Sequence, residues 1–261
     1  MAEIPERLVP GSVQWAVYEY EHRQRYEFFA GESRDLQILD AACGVGYGSK
    51  ILADAGAQRV VGVDISAEAI EYAKGHYQSS NLEFLQGDVT GLDIAQDTFD
   101  KVISFETVEH VRIPEEFFQE VHRVLKPGGE FICSTPNSEF SGGGKQQENP
   151  YHLSEMTYAA FESAFSAYFE LEKRYFQTHS DAYRRYLGLL RETENLHKVM
   201  RFSKLLAAEN FLRRVLGRPT WKIDAIPPEL ARAVPGDFEI GKLETPLDTH
   251  LTFIFVGRKK E

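Results

Sequence analysis

The stretch FETVEHV, residues 105–111, places two carboxylates and an imidazole close together in the chain. Glu106, Glu109 and His110 are three and four positions apart, a spacing that puts side chains on one side of a helical turn. Three interpretations follow. His110 is a general base, since histidine's ordinary pKa of about 6.5 suits proton removal at neutral pH. Alternatively, the three residues bind a divalent ion, or the acids start a solvated helix and His110 packs beneath it.

A glycine-rich turn follows the first apolar run, in ILDAACGVGYG. Gly44 and Gly46 let the backbone pass close to a ligand, and the amides at the start of the next helix face the same space. Dinucleotide-binding enzymes use a similar turn, so it does not by itself identify the ligand.

Two aspartates end the next two apolar runs. Asp64 stands about twenty residues after the glycine turn, where a carboxylate can accept both hydroxyls of a ribose. Asp88 follows the third run, and the carboxyl end of a parallel strand lies in a ligand crevice where an adenine amino group is a suitable partner. Either residue alone is explained by a helix cap or a turn. Together with Gly44 and Gly46 they predict a nucleoside site.

Five short runs rich in β-branched and aromatic residues alternate with helix-like segments: LQILDAAC, RVVGVDIS, LEFLQGDV, FDKVISFE and GEFICSTP. This alternation predicts βαβ units and a parallel sheet that is buried on both faces. The segments between the runs carry helix boundary signals, with Gly56 ending the first, Ser66 as N-cap of the second and Pro114 at the start of the third.

The order changes after Pro136. A polar stretch with three glycines at 142–144 predicts a loop, and HLSEMTYAAFESAF predicts a helix with Ser154 or Thr157 near its start. A strand is expected in YFELEKRYFQT, helical spacing covers residues 180–217, and THLTFIFVGRKK is typical of a terminal strand.

Composition excludes some function classes. The 261 residues carry a formal net charge of −11, which repels phosphate backbones, so we expect no nucleic-acid partner. Cys43 and Cys133 lie inside apolar runs, which predicts free thiols in a reducing compartment. A signal peptide needs an uninterrupted apolar core, and Pro5 and Pro10 stand where that core would be. No apolar run approaches the length of a membrane span. We therefore expect a cytoplasmic protein without membrane insertion.

The five runs and the VLKPGG turn resemble, in order and spacing, the motifs of class I S-adenosylmethionine-dependent methyltransferases over residues 36–175 and the last strand. The resemblance implies an α/β, Rossmann-like fold with a seven-stranded, mostly parallel sheet, an antiparallel last strand and a helical insertion before it. It implies a lid at 1–35, a core at 36–178, an insertion at 179–248 that shapes the acceptor site or a dimer contact, and the last core strand at 249–261.

The resemblance implies S-adenosylmethionine as cofactor. Its methionine part would lie at the glycine turn, its ribose at Asp64, its adenine at Asp88 and its sulfonium near Phe105. The implied cofactor-binding residues are Asp40, Ala42, Gly44, Gly46, Asp64, Ile65, Asp88, Val89, Phe105 and Arg25. The family often has glycine at position 42, and we expect the methyl group to be tolerated if the backbone torsions there are ordinary. Tyr18, His22, Arg25 and Tyr26 are candidates for the lid.

The E-x-x-E-H spacing is similar to that of ubiquinone-pathway O-methyltransferases and small-RNA 2′-O-methyltransferases. In those families such residues, with a further histidine, hold a metal near a diol or a catechol-like substrate. The similarity implies Glu106, Glu109, His110 and His152 as ligands of Mg²⁺ or another divalent cation. Many class I members carry a similar EHV element without a metal, so a base or packing role for His110 is slightly favoured.

The expected activity is methyl transfer from S-adenosylmethionine to a small molecule, at a hydroxyl oxygen of a sugar, glycan precursor or natural product, by a protein that can form a homodimer. One alternative is a non-catalytic sensor or scaffold that binds the cofactor. A nicotinamide oxidoreductase is less favoured because GxGxxG is absent: after Gly44 and Gly46 the next glycine is Gly48.

Overall fold

The computed structural model describes residues 13–138, 151–179, 238–242 and 252–261. The glycine-rich loop predicted at 142–144, the helical segment at 180–217 and the side chain of Tyr18 lie outside this part. The chain divides into two compact units, residues 1–178 with 238–261, and residues 179–237.

Helices and strands alternate as the sequence pattern predicts. In chain order they are α1 Val13–Ala30, β1 Gln37–Ala41, α2 Tyr47–Asp54, β2 Arg59–Asp64, α3 Ala67–His76, β3 Leu82–Gln86, β4 Phe99–Phe105, a 3₁₀ helix Val108–His110, α4 Pro114–Val124, β5 Leu125–Pro136, α5 Tyr158–Tyr168, β6 Phe169–His179, β7 Phe238–Lys242 and β8 Thr252–Lys259.

All strands belong to one sheet with the order β3-β2-β1-β4-β5-β8-β6-β7. The first five strands in this order are parallel, and β8 runs antiparallel to both β5 and β6. The predicted α/β, Rossmann-like fold with an antiparallel last strand is confirmed. The edge strand β7 is additional to the seven predicted strands, because its five residues form too short a pattern to stand out.

The sheet is buried on both faces, as the continuous apolar runs predict. Val102 and Phe131 pack on the face that contacts α4 and α5, whereas their neighbours Ile103 and Ile132 pack on the face that contacts α1 and α2. Side chains alternate between the two faces of a strand, so apolar residues at successive positions serve both layers.

Two of the predicted helix N-caps are present in the structure. The hydroxyl oxygen of Ser66 accepts a bond from the amide of Ala69 at 3.3 Å at the start of α3, and Thr157 caps α5 in the same way. Cys43 and Cys133 are buried, free thiols. Within the described ranges, no helix combines the length and hydropathy needed to cross a membrane.

Candidate functional site

A cavity of about 710 Å³ opens at the carboxyl ends of the first four strands. The turns after β1, β2, β3 and β4 form its floor, and α1, Tyr151 and Leu153 contribute to its sides. The sheet order reverses between β1 and β4, the switch point at which open α/β sheets bind ligands. The predicted cofactor-binding residues on its wall are Ala42, Gly44, Asp64, Ile65, Asp88, Val89 and Phe105.

Asp64 joins the glycine turn to the start of α3. Its Oδ2 accepts a bond from the amide of Gly44 at 2.9 Å, and its Oδ1 accepts one from the amide of Ser66 at 2.9 Å. A carboxylate offers about four acceptor positions, and these two amides use two of them. The side chain is therefore fixed in direction and faces the cavity, as a ribose-binding carboxylate requires.

The glycine turn has a left-handed backbone. Gly44 has a φ of 56° and Gly46 a φ of 88°. A Cβ at Gly44 would meet nothing within 4 Å, because this position borders the cavity, whereas one at Gly46 would lie 2.7 Å from the ring of Phe84. Gly46 thus lets the turn pack against Phe84 of β3, and it is not among the residues that line the cavity.

Ala42 departs from the expected torsions, with a φ of 62°. The left-handed region costs an L-residue with a Cβ roughly 1–2 kcal/mol. The condition under which the methyl group was expected to be tolerated, ordinary backbone torsions, is not met. The chain keeps an alanine where glycine is conformationally easier.

We expect Ala42→Gly to raise the free energy of unfolding by about 1 kcal/mol. The substitution removes the left-handed strain, and the larger conformational entropy of glycine in the unfolded chain offsets part of this gain. Urea unfolding of the ligand-free protein measures this change. The matched control Ala41→Gly, one residue earlier in β1, should be destabilised by about 1 kcal/mol. A lower stability of Ala42→Gly would contradict the argument.

Asp40 lies beneath the cavity and not on its wall, because its carboxylate is fully buried. Oδ1 accepts a bond from the hydroxyl of Tyr26 at 2.9 Å and Oδ2 accepts one from Ser49 at 2.6 Å. Burial raises the pKa of Asp40 from 3.8 to about 6. Asp40 therefore supports Tyr26, which lines the cavity, and is not itself among the lining residues.

The raised pKa of Asp40 predicts a pH dependence of stability. The folded protein binds this proton more tightly than the unfolded chain, so the contribution of Asp40 is full below about pH 4 and is lost as the pH rises towards 6. Between these pH values we expect the free energy of unfolding of wild type, measured with urea, to fall by about 3 kcal/mol. The variant Asp40→Asn should not show this fall. Parallel curves for the two proteins would refute this assignment.

Arg25 also lies behind the cavity wall, with a fully buried guanidinium. Its Nε donates to Oε1 of Gln177 at 2.6 Å, and its Nη2 donates to Glu21 at 2.9 Å and to the hydroxyl of Thr252 at 3.5 Å. Its Nη1 lies 3.5 Å from Oε1 of Glu106. Arg25 thus fastens α1 to β6, β8 and the end of β4. It does not line the cavity as a cofactor contact would.

Glu106 is the first residue after β4 and lines the cavity. Its φ of 52° is left-handed, and strained residues of this kind persist where their surroundings fix them. Ser134 supplies that support: its hydroxyl donates to Oε1 of Glu106 at 2.7 Å and accepts a bond from the Glu106 amide at 3.1 Å. The carboxylate is held between Ser134 and Arg25.

Glu109 is buried, with 1% of its surface exposed. The hydroxyl of Thr135 donates to its Oε2 at 3.3 Å, and its Oε1 lies 3.9 Å from Nε2 of His110. Burial raises the pKa of Glu109 well above its usual range, and the charge of Glu106 adds to the effect. Glu109 therefore keeps its proton to higher pH than an exposed glutamate does.

Hydrogen-bond partners determine which ring nitrogen of His110 and of His152 carries the hydrogen. Nδ1 of His110 lies 3.0 Å from the carbonyl oxygen of Tyr151, which can only accept, so Nδ1 carries the hydrogen. Nδ1 of His152 lies 2.6 Å from Oε1 of Glu155 in the same arrangement. When the rings are neutral, each histidine presents an unprotonated Nε2, the atom that accepts a proton or binds a metal.

Three of the four predicted metal ligands come together. Ligand atoms of Glu109, His110 and His152 all lie within 4.8 Å of one another. Glu106 is not in this group, because regular 3₁₀ geometry begins only at Val108 and the left-handed backbone of Glu106 breaks the helical spacing. The sequence argument assumed one continuous turn over 106–110, and this assumption is wrong.

Charge and aromatic rings in the cavity suit a cationic ligand. The ring of Tyr26 meets that of Phe105 edge to face, with centroids 4.9 Å apart, and aromatic faces attract cations. Burial lowers the pKa of His22, also on the wall, to about 3, so that its ring is neutral. Carboxylates outnumber guanidinium groups on the wall: Asp64, Asp88, Glu106 and Glu116 against Arg112.

Several wall residues were not predicted as site residues. Tyr47 follows the glycine turn directly, which is the signal that could have identified it. Thr90, Arg112, Ile113, Glu116, Tyr151 and Leu153 also line the cavity. The order of the motifs gave no signal for this second group.

Comparisons with known proteins agree with this geometry. The family model described as a methyltransferase domain matches residues 32–202. The chain is 32% identical, over 64% of its length and 65% of the relative's, to a Mycolicibacterium smegmatis protein named as an S-adenosylmethionine-dependent methyltransferase. It is 40% identical to the ubiquinone biosynthesis O-methyltransferase of Ruegeria pomeroyi, over 42% of its own length and 43% of the relative's.

Among solved structures, an S-adenosylmethionine-dependent methyltransferase from Mesorhizobium loti matches with a TM-score of 0.55 and 18% identity, over 95% of this chain and 99% of the other. This likeness concerns the fold alone. The chain spans between 54% and 65% of the length of the first curated relatives.

Proposed function

The chain belongs to the methyltransferase domain family, which residues 32–202 match, and we propose that it transfers the methyl group of S-adenosylmethionine to a hydroxyl oxygen of a small molecule. A sugar, a glycan precursor or a natural product is the acceptor class expected from the sequence. The observation that carries the proposal is the bond from the Gly44 amide to the Asp64 carboxylate, which fixes a ribose-binding group beside the glycine turn.

The residues on the cavity wall fit this cofactor. The open space at Gly44 would accommodate the methionine part, Asp64 would accept the ribose hydroxyls, and Asp88 with Val89 would border the adenine; all four residues line the cavity. Ile65, with 66% of its surface exposed, offers an apolar surface for the adenine ring. When bound, S-adenosylmethionine supplies a methyl group on a positively charged sulfur, which is a good leaving group.

His110 supplies the proton chemistry. Methylation of a hydroxyl forms an oxygen–carbon bond and releases the hydroxyl proton, which needs an acceptor within hydrogen-bond reach. Nε2 of His110 is the acceptor in this proposal. The carbonyl of Tyr151 holds the opposite nitrogen as N–H, so that the ring keeps its orientation while it takes up the proton and becomes a cation.

A divalent metal is the alternative role for the same residues, because Nε2 of His110 cannot bind an ion and accept a proton at the same time. Metal-binding histidines commonly donate their other N–H to a carbonyl or a carboxylate, and His110 and His152 do so towards Tyr151 and Glu155. The buried Glu109 completes a set of two imidazoles and one carboxylate. Such a set suits a first-row transition ion better than Mg²⁺, which prefers oxygen ligands. A bound ion would lower the pKa of a hydroxyl that it contacts.

We expect calorimetric titration to show that Mn²⁺ or Zn²⁺ binds the protein saturated with S-adenosylhomocysteine, and that binding strengthens as pH rises because Glu109 must lose its proton. His152→Ala should weaken metal affinity at least about tenfold. His76→Ala, which removes an exposed histidine at the end of α3, is the control. No heat of binding, or equal affinity in both variants, would leave His110 as a base without a metal.

The experiment that tests the function has two stages. S-Adenosylhomocysteine and NADH are first titrated into the protein; the proposal requires the former to bind and the latter not to. Labelled S-adenosylmethionine is then offered with a panel of hydroxylated acceptors to wild type and His110→Ala. Binding without transfer to any acceptor would favour a sensor or scaffold, and NADH binding that Asp64→Ala weakens would favour an oxidoreductase.

Other expectations stay predictions. They are the lid role of residues 1–35, the role of residues 179–248 at the acceptor site or a dimer contact, the lack of a nucleic-acid partner and the cytoplasmic location.

A further inference from the structure

Exposed apolar side chains of the described residues are concentrated at one place. Five large hydrophobic side chains are exposed, and four of them, Ile65, Ile113, Tyr151 and Leu153, line the cavity; the exception is Phe28 on α1. Scattered exposed apolar residues are ordinary, but a group of them around a concave site marks a surface that an apolar ligand covers.

Three of these residues line the cavity together with His110. We call Ile113, Tyr151 and Leu153 the apolar rim; their exposed fractions are 44%, 44% and 54%. Ile65 directly follows Asp64 and belongs to the nucleoside end of the cavity. The rim therefore lies on the side of the cavity where the acceptor must approach the base.

The rim is fixed to the turn that carries His110. The amide of Leu153 donates to the carbonyl oxygen of Glu109 at 2.7 Å, and the carbonyl of Tyr151 accepts the Nδ1 hydrogen of His110. The hydroxyl of Ser154 donates to the carbonyl oxygens of Val108 and Val111, at 2.7 and 2.8 Å. A molecule that rests on the rim is consequently held in a defined position relative to the base.

We infer that the acceptor is amphiphilic, with its reacting hydroxyl at His110 and an alkyl chain or aromatic ring that covers Ile113, Tyr151 and Leu153. This inference rests on the proposed methyl transfer and narrows its acceptor class. A bare sugar would leave the rim in water, whereas each methylene group that the rim buries strengthens binding by about fourfold.

The test uses 4-alkylcatechols with alkyl chains of zero to six carbons, titrated into the protein saturated with S-adenosylhomocysteine. We expect the affinity of wild type to rise two- to fourfold with each added carbon. In the double variant Ile113→Ser/Leu153→Ser this rise should fall below about 1.5-fold per carbon. Phe28→Ser, which removes the exposed apolar side chain that lies away from the cavity, should retain the wild-type rise.

An affinity that does not depend on chain length, the lack of binding by any member of the series, or a rim variant that keeps the wild-type rise would each overturn the inference. The binding of S-adenosylhomocysteine, measured first on every variant, separates the two proposals. If this product fails to bind wild type, the proposed function fails. If it binds all variants equally and chain length has no effect, only the amphiphilic acceptor is rejected.

Discussion

Replacing Asp64 by alanine should weaken the binding of S-adenosylhomocysteine at least about 100-fold. The carboxylate would accept the ribose hydroxyls, and a hydrogen bond to a charged group contributes about 1.5–3 kcal/mol, so the loss of two such bonds corresponds to two or more orders of magnitude in affinity. The variant also releases the amide of Gly44, which Asp64 holds at 2.9 Å. The glycine turn then loses part of its preorganisation.

Calorimetric titration of the product into wild type and Asp64→Ala measures this effect. Asp54→Ala is the matched control, because it removes an aspartate whose side chain pairs with Lys50 on the exposed face of α2. Its affinity should remain within twofold of wild type. A loss below tenfold in Asp64→Ala would mean that the ribose is bound elsewhere. The proposed placement of the cofactor in the cavity would then be rejected.

Replacing Arg25 by methionine should lower the free energy of unfolding by about 3–5 kcal/mol. The methionine keeps much of the apolar stem but removes a buried guanidinium whose partners include Glu21 and Glu106. Removing one partner of a buried ion pair leaves the other charge without compensation in a region of low dielectric constant, which is strongly destabilising. Because Glu106 lines the cavity, the affinity for S-adenosylhomocysteine should fall as well.

Arg23 provides the control for this prediction. It pairs with Glu27 at 3.1 Å on the exposed side of the same helix, and exposed pairs of this kind contribute less than about 1 kcal/mol. Urea unfolding of Arg23→Met and Arg25→Met compares the two directly. In the double variant Arg25→Met/Glu106→Gln part of the stability should return, since one of the two uncompensated carboxylates is gone. Equal effects of the two arginine substitutions would rule out a special role for Arg25.

The motifs predicted well were those whose structure is set by neighbouring residues. Ser66 caps α3 through a bond to an amide three residues later. Asp64 is the last residue of β2 and Asp88 lies two residues after β3, so the strand pattern predicted their place at the edge of the sheet. Parallel strands bring such ends together, which is why seven of the predicted cofactor residues line one cavity.

The features that were missed depend on contacts between distant segments. Arg25 binds Gln177 and Thr252, which are 152 and 227 positions away in the chain, and no local pattern announces such partners. The apolar rim forms because residues 151–154 bind the turn at 108–111, a docking that periodicity does not encode. The torsion of Ala42 belongs to the same class, since a single alanine gives no sign of its backbone conformation.

At position 151 the main chain and the side chain have different roles: one sets the tautomer of His110, and the other forms part of the apolar rim. The main-chain carbonyl of Tyr151 fixes the tautomer of His110, the proposed base, whereas the side chain of Tyr151 is exposed on the cavity wall, where the proposed acceptor would bind. Any residue at position 151 supplies the carbonyl, so substitutions there can alter the choice of acceptor while the orientation of the base is inherited unchanged. Position 151 is thus a point at which new acceptor ranges can arise in a lineage without loss of the catalytic arrangement.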